Sequence, residues 1–183
     1  MITYVVDSVT PLVDEVLVIV DTDSARRELT QVLDPSVEIF LDEYDSKSPV
    51  IGSSTGFKHA KYPCSLLLAG DTPLISIEVI SLLLDLAENY TAVIPRWPNG
   101  YIEPLQAAYN VKKTSAASLE AIAEGALRMR DIVVRLQNIL YLSTNAISKF
   151  DPKLHTFLNV NTPSDLARAE RVLRTRYSQG TTS

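Results

Sequence analysis

The chain has 183 residues, of which 46% are hydrophobic and 21% charged, with a formal net charge of −5 and a sequence pI near 5.0. That length accommodates one domain with a sizeable core, and the composition leaves no room for long disordered tracts. The acidic balance argues against nucleic acid as a non-specific partner, and an anionic substrate would need local positive charge or a metal.

The single cysteine, Cys64, excludes an internal disulfide and any multi-cysteine metal site; it falls at the start of an apolar strand, which points to core packing. No apolar run approaches the roughly eighteen residues of a membrane span, and no basic amino-terminal region leads into an apolar stretch. A cytoplasmic protein without a membrane partner is expected.

In chain order, Met1 to Val13 places Ile2, Val5, Val6, Val9, Leu12 and Val13 at helical spacing, with Pro11 near the end of the predicted helix. Val16 to Val20 predicts a buried strand, Ser24 to Leu33 a short helix, and Val37 to Leu41 a strand ending at Asp42. The polar stretch from Glu43 to Ser54 contains Pro49 and Gly52 and predicts a loop, followed by a helix from about Ser53 to Ala60. Leu66 to Ala69 run without a polar break, as in a central strand buried on both faces, and Gly70 and Asp71 stop it. Ile77 to Ala87 predicts an apolar helix capped by Ser76. This alternation of strand and helix is the signature of a parallel sheet.

Thr91 to Trp97 predicts a strand broken at Pro95, with a turn at Pro98, Asn99 and Gly100. Leu105 to Val111 predicts another strand. Ser115 to Gln137 carries a helical pattern interrupted at Gly125, hence two helices, and Ile139 to Ser143 a strand. Phe157 to Asn161 is expected to be extended, with Asn159 and Asn161 on one face. Thr162, Pro163 and Asp165 then start a helix in cap, first and third positions. The tail after Tyr177 is expected to fray.

Asp71 is the residue with the most chemistry. A carboxylate at the carboxyl end of a parallel strand lies where α/β sheets bind ligands, and it can hold magnesium against phosphate oxygens. Alternatively it satisfies backbone groups at the turn into the next helix. Arg96, the only cation at the end of its strand, binds phosphate or is simply solvated; Glu103 hydrogen-bonds substrate or anchors the turn before Pro104. His59 and His155 lack ligand spacing and are expected on surfaces or helix faces. Ser53, Ser54 and Thr55 have no histidine–aspartate partner for nucleophilic catalysis. Arg168, Arg171, Arg174 and Arg176 are expected on the wet face of the last helix.

Four stretches, PVIGSSTGF, LLLAGDTPLIS, PRWPNGYIEPLQAAY and FLNVNTPSDLARAE, together resemble the molybdenum cofactor guanylyltransferases, within the wider nucleotidyltransferases of Rossmann-like fold. The resemblance runs from Met1 to Arg174. It implies a three-layer α/β fold of the nucleotide-diphospho-sugar transferase type, a mostly parallel central sheet with helices on both faces, formed as a single domain over residues 1–183.

It further implies magnesium-dependent transfer of GMP from GTP to the terminal phosphate of molybdopterin, with pyrophosphate released. Asp71 matches the magnesium ligand and, with Asn161, the catalytic pair. Asp42 matches an aspartate that reads guanine, with Pro49 and Gly52 shaping its loop; Asn159 and Asn161 match paired asparagines on the pterin side, where Arg96 and Glu103 join them as substrate-binding residues. The implied partners are GTP, molybdopterin and other molybdenum cofactor biosynthesis proteins. Transfer of another base, another phosphate acceptor, or a non-catalytic binding role are the alternatives.

The family's glycine-rich LAGGxSxRxGxxK loop is absent from this sequence. The expectation is therefore a start placed too far downstream, or a deliberately shortened chain, with a first strand and phosphate loop belonging upstream of Met1.

Overall fold

The computed structural model describes residues 1–43 and 48–180. Part of the polar loop expected after Glu43, the side chains of Arg174 and Arg176, and the last three residues of the polar tail lie outside the described residues.

Helix α1 (Ile2–Val9) buries Val5, Val6 and Val9 and passes into a 3-10 turn, Thr10–Leu12. Strand β1 (Leu17–Val20) leads to α2 (Asp23–Val32), whose first turn is capped by the Thr22 hydroxyl accepting from Ala25 N at 3.3 Å. After β2 (Glu38–Leu41) comes α3 (Pro49–His59). This helix starts four residues before the expected Ser53, because Pro49 occupies its first position and Ser48 caps it by accepting from Ile51 N. Proline there is pre-set for the helix and loses only an N–H that has no partner in any helix.

Strand β3 (Cys64–Leu68) and helix α4 (Ile77–Ala87) follow, with Ser76 as the expected cap. Next come β4 (Ala92–Arg96), β5 (Gln106–Asn110), α5 (Val111–Ala123) and α6 (Met129–Val133), the two helices separated around Gly125, whose φ is +71°. The chain closes with β6 (Ile139–Ser143), α7 (Thr144–Ile147), a 3-10 turn at His155–Phe157 and α8 (Pro163–Gly180).

Two sheets form. β1 pairs with β2 in parallel, and the second sheet has the order β3-β5-β4-β6. β4 and β6 are parallel, whereas β5 runs antiparallel to both its neighbours. The reversal follows from the short return after β4: Trp97 N donates to Tyr101 O, and Gly100 turns at φ +86°. A parallel neighbour would have needed a crossover. β4 continues through Pro95 rather than breaking there, since its ladder with β5 covers only Ala92 and Val93 and no acceptor on β5 awaits the missing N–H.

The pleat divides the core of the four-stranded sheet. Val93 and Ala108 face Val5, Val79, Ile80, Leu83 and Ile147, while Ala92, Ile94, Ala107 and Tyr109 face Val50, Phe57, Ala117, Ala121 and Ile132. The sheet is therefore the middle of three layers. Each fully buried aliphatic here stabilises the fold by about 1.5–3 kcal/mol.

β3 differs from its expected place. It lies at an edge of the four-stranded sheet, and all five of its residues are only half-buried. The reason is a groove of about 750 Å³ between β3 and β1, lined by Leu17 to Ile19 from one strand and Ser65 to Leu68 from the other. α1 walls it on one side through Ile2, Val5 and Val6, and α3 on the other through Gly52, Gly56 and Phe57. Among the described strands β1 pairs only with β2 and β3 only with β5, so each has a free backbone edge. α1 spans the gap: Val5 packs with the four-stranded sheet and Val6 with Val18, Leu33 and Val37 of the other.

Candidate functional site

The end of β3 sets the position of Asp71. Ala69 N donates to Leu105 O at 3.0 Å, carrying the ladder one residue past the strand, and Thr72 folds back with its hydroxyl on Ala69 O at 2.7 Å. The turn is thus closed by Thr72, and the following helix is capped by Ser76. Asp71 Oδ1 is buried with no hydrogen-bond partner among the described residues. A buried acceptor without a donor costs about 1–3 kcal/mol, more when charged. The hard oxygen suits magnesium. Among the described residues no group of three or more His, Cys, Asp or Glu side chains could hold a metal by itself.

Asp42, Pro49 and Gly52 come together. Asp42 N extends the β1–β2 ladder onto Val20 O at 2.8 Å, which fixes its side chain at the carboxyl end of β2. A Cβ on Gly52 would lie 3.5 Å from Asp42 Oδ1, so the missing side chain leaves the space directly beside that oxygen unfilled. Oδ1 is likewise buried without a partner. Burial pushes the Asp42 carboxyl above its ordinary range, a hydrogen bond from the Thr55 hydroxyl opposes this, and Asp21 nearby adds to the rise. Gly52 and Gly70 line the same groove, so the two carboxylates stand on the two sheets that flank it.

A second cluster forms where β4 ends. Glu103 N donates to Pro95 O at 2.9 Å, and Arg96 bridges to Ile102. Arg96 is exposed, its guanidinium 5.6 Å from the centre of the Tyr141 ring. Glu103 is half-buried, and its Oε1 accepts from Trp97 Nε1 at 2.6 Å. Burial pushes its carboxyl up and the indole N–H pulls it partly back. The Trp97 ring meets Phe157 edge-on at 5.9 Å.

Val160 N donates to Asp71 O at 2.8 Å, which ties the Asn159–Asn161 segment to the Asp71 turn. Asn159 and Asn161 are exposed on either side of buried Val160, which packs with Leu74 and Ala169. Asp165 accepts from Thr162 N, its hydroxyl and Asn161 N, and these bonds, the Thr162 hydroxyl first, hold its carboxyl below the usual range. This is a reciprocal helix start.

His155 is buried at the start of the 3-10 turn rather than on the surface or an exposed helix face, and His59 stacks on Phe40 at 3.9 Å with Nε2 3.3 Å from Glu43. Burial pushes the Cys64 thiol up, in keeping with packing. Sequence reasoning did not single out Trp97, although a lone tryptophan at a strand end was a usable signal, nor Thr55 as the support of Asp42.

A three-layer α/β fold with carboxylates at the ends of β2 and β3 is compatible with nucleotide transfer, and the chain belongs to the MobA-like NTP transferase domain family, whose model matches residues 1–139. Its relatives narrow the class. A probable molybdenum cofactor guanylyltransferase of Methanosarcina mazei is 34% identical over 159 residues, covering 85% of this chain and 70% of that protein. The corresponding protein of Natronomonas pharaonis is 27% identical over 173 residues, covering 94% and 84%. The crystal structure of molybdopterin-guanine dinucleotide biosynthesis protein A from Archaeoglobus fulgidus superposes with a TM-score of 0.77 at 25% identity, covering 94% of this chain and 84% of that one. A cytidylyltransferase of Thermus thermophilus, at TM-score 0.66 and 14% identity, shares the fold alone. Among the described residues no helix is long and apolar enough to cross a membrane.

Proposed function

We propose that the chain transfers GMP from GTP to the terminal phosphate of molybdopterin in the cytoplasm. The observation that carries this reading is the pair of buried, unpartnered carboxylate oxygens, Asp42 Oδ1 and Asp71 Oδ1, on the two sheets flanking one groove. The relatives' guanylyltransferase names supply the class of reaction.

In this reading an acceptor phosphate oxygen attacks the α-phosphorus of GTP, the bond from that phosphorus to the bridging oxygen breaks, and its electron pair departs with pyrophosphate. The attacking oxygen is already ionised, so no residue need act as base. Asp71 would hold magnesium, with Asn161 beside it; the ion supplies charge neutralisation at the phosphates when bound. Asp42 accepts from the N1–H and 2-amino group of guanine, a charge-assisted pair that adenine cannot make. Pro49 starts the helix that brings Gly52 against Asp42. Arg96 offers positive charge to phosphate, and the Asn159 and Asn161 amides face the acceptor.

Residues 1–183 act in this reading as one nucleotidyltransferase domain. The β1–β3 groove is the seat of a further strand, its two free backbone edges and apolar walls being the support, and a phosphate loop after that strand would reach the triphosphate. The test is transfer from α-labelled GTP, CTP and ATP to molybdopterin with magnesium present. Labelled dinucleotide from GTP alone is expected; transfer from CTP in preference to GTP would overturn the guanylyl assignment.

A further inference from the structure

Glu103 carries a second recognition problem. It is a half-buried carboxylate, and no cation pairs with it among the described residues. One oxygen, Oε1, is fixed by the Trp97 indole N–H at 2.6 Å, while Oε2 has no donor among the described residues. Each carboxylate oxygen has two acceptor directions, so Oε1 keeps one and Oε2 both. The side chain therefore presents two parallel acceptor positions, and its indole partner restrains the rotation of the carboxylate.

Its place in the fold is as specific as its chemistry. Because β5 runs against its neighbours, the residues ahead of it return to the edge where β3 and β4 end. Leu105 O receives Ala69 N, two residues before Asp71, and Glu103 N is bonded to Pro95 O beside Arg96. Trp97 touches both Glu103 and Phe157, and the chain after Phe157 bonds back to Asp71 through Val160. Glu103 thus lies on the Asn159–Asn161 side of Asp71. Asp42 lies across the groove on the other sheet.

We propose that Glu103, positioned by Trp97, reads the 2-amino-4-oxo edge of a pterin ring in the acceptor. The inference rests on the guanylyl-transfer reading above and adds to it the group that recognises the acceptor's bicycle. That edge offers an N3–H and a 2-amino N–H side by side, the donor pair a carboxylate meets with two parallel hydrogen bonds. Guanine carries the same edge at N1 and N2. The product would then be held by a carboxylate at each of its two rings, Asp42 at one and Glu103 at the other, with Asp71 between them.

The only tryptophan in the chain is Trp97, so ligand capture beside it can be followed in the intact protein by fluorescence. The probes are 6-hydroxymethylpterin and the matching 6-hydroxymethyl lumazine, the same bicycle with oxygen in place of the 2-amino group. The wild-type chain is expected to show saturable quenching by the pterin and binding at least tenfold weaker for the lumazine. Glu103→Gln keeps the acceptor for the indole and loses the paired charge; it should weaken pterin binding at least tenfold by calorimetry and leave GTP affinity unchanged. Trp97→Phe, which keeps a ring against Phe157, should lower pterin-over-lumazine selectivity with GTP affinity again unchanged. Equal affinity for pterin and lumazine, or unchanged pterin affinity in Glu103→Gln while GMP transfer from GTP persists, overturns this inference and leaves the guanylyl reading standing. No pterin binding and no transfer by the wild-type chain overturns both.

Discussion

Gly52→Ala should move stability and nucleotide affinity in opposite directions. Gly52 lies within α3, where glycine costs about 0.5–1 kcal/mol relative to alanine. An added Cβ would lie 3.5 Å and 3.8 Å from the Asp42 carboxylate oxygens and 3.9 Å from Ile19 Cγ2, all ordinary van der Waals distances, so the fold accepts it without strain. The variant should therefore melt higher by about 2–4 °C, the shift that roughly 1 kcal/mol gives in a domain of this size. The same methyl takes the space beside Asp42 Oδ1, the oxygen assigned to guanine. Losing a charge-assisted hydrogen bond worth about 1.5–3 kcal/mol weakens GTP binding by at least tenfold. Gly56→Ala is the internal control: its Cβ would lie 3.6 Å from Ile19 and meet no carboxylate, so it should gain the stability and keep the affinity. Calorimetric GTP titrations and thermal melts on the two variants decide the matter. If both lose GTP affinity equally, or neither does, Asp42 Oδ1 does not face the nucleotide.

Asp71→Asn should abolish GMP transfer at limiting magnesium without lowering the melting temperature, because the replaced oxygen has no partner among the described residues to lose; wild-type transfer rates would remove Asp71 from the metal. Asp42→Ala should weaken GTP binding at least tenfold more than ATP binding, and equal losses would remove it from base recognition. Burial raises the Asp42 carboxyl above its ordinary value of 3.8, so its charge disappears at a higher pH than that of a free aspartate. Selectivity for GTP should decline on acidification from above that value, and the cost of burying the charge, present at higher pH, is relieved over the same interval; selectivity flat down to pH 4 would contradict this. A version extended ahead of Met1 by about twenty residues, one strand and one loop, should bind GTP at least tenfold more tightly and melt higher. Identical values for both forms would show that the groove seats no such strand.

Strand positions were legible because apolar runs bounded by polar residues survive in any context, and every strand expected from β1 to β6 is present. Direction was not. Nothing in the pattern of Gln106 to Asn110 distinguishes a reversed strand from a parallel one; the hairpin at Trp97 to Tyr101 decides it. Pro49 carries the signal of a loop residue in the sequence, because a proline between polar residues looks the same whether it ends a loop or begins a helix, and the Ser48 cap separates the two cases. For the site, a carboxylate at the end of an apolar run could be seen from residue order alone. Which atoms remain without partners could not, because that depends on Thr55 and Val160, which tertiary contact brings to Asp42 and Asp71. Trp97 escaped for a similar reason: its value lies in a bond to a residue on the far side of a turn.

The division into two sheets has a consequence for how ligand and fold are coupled. No ladder hydrogen bond links the β1–β2 pair to the four-stranded sheet among the described strands, so cooperativity between them passes through side chains of α1 and α3. Such a unit can open on its own at less than the global free energy, and its amides should exchange with solvent sooner than those of β4 and β5. A nucleotide held by Asp42 at one end and by Asp71 at the other would act as a cross-link across that seam. Occupancy of the site would then be written into the exchange rates of β1 and β2, whose backbone the nucleotide need never touch.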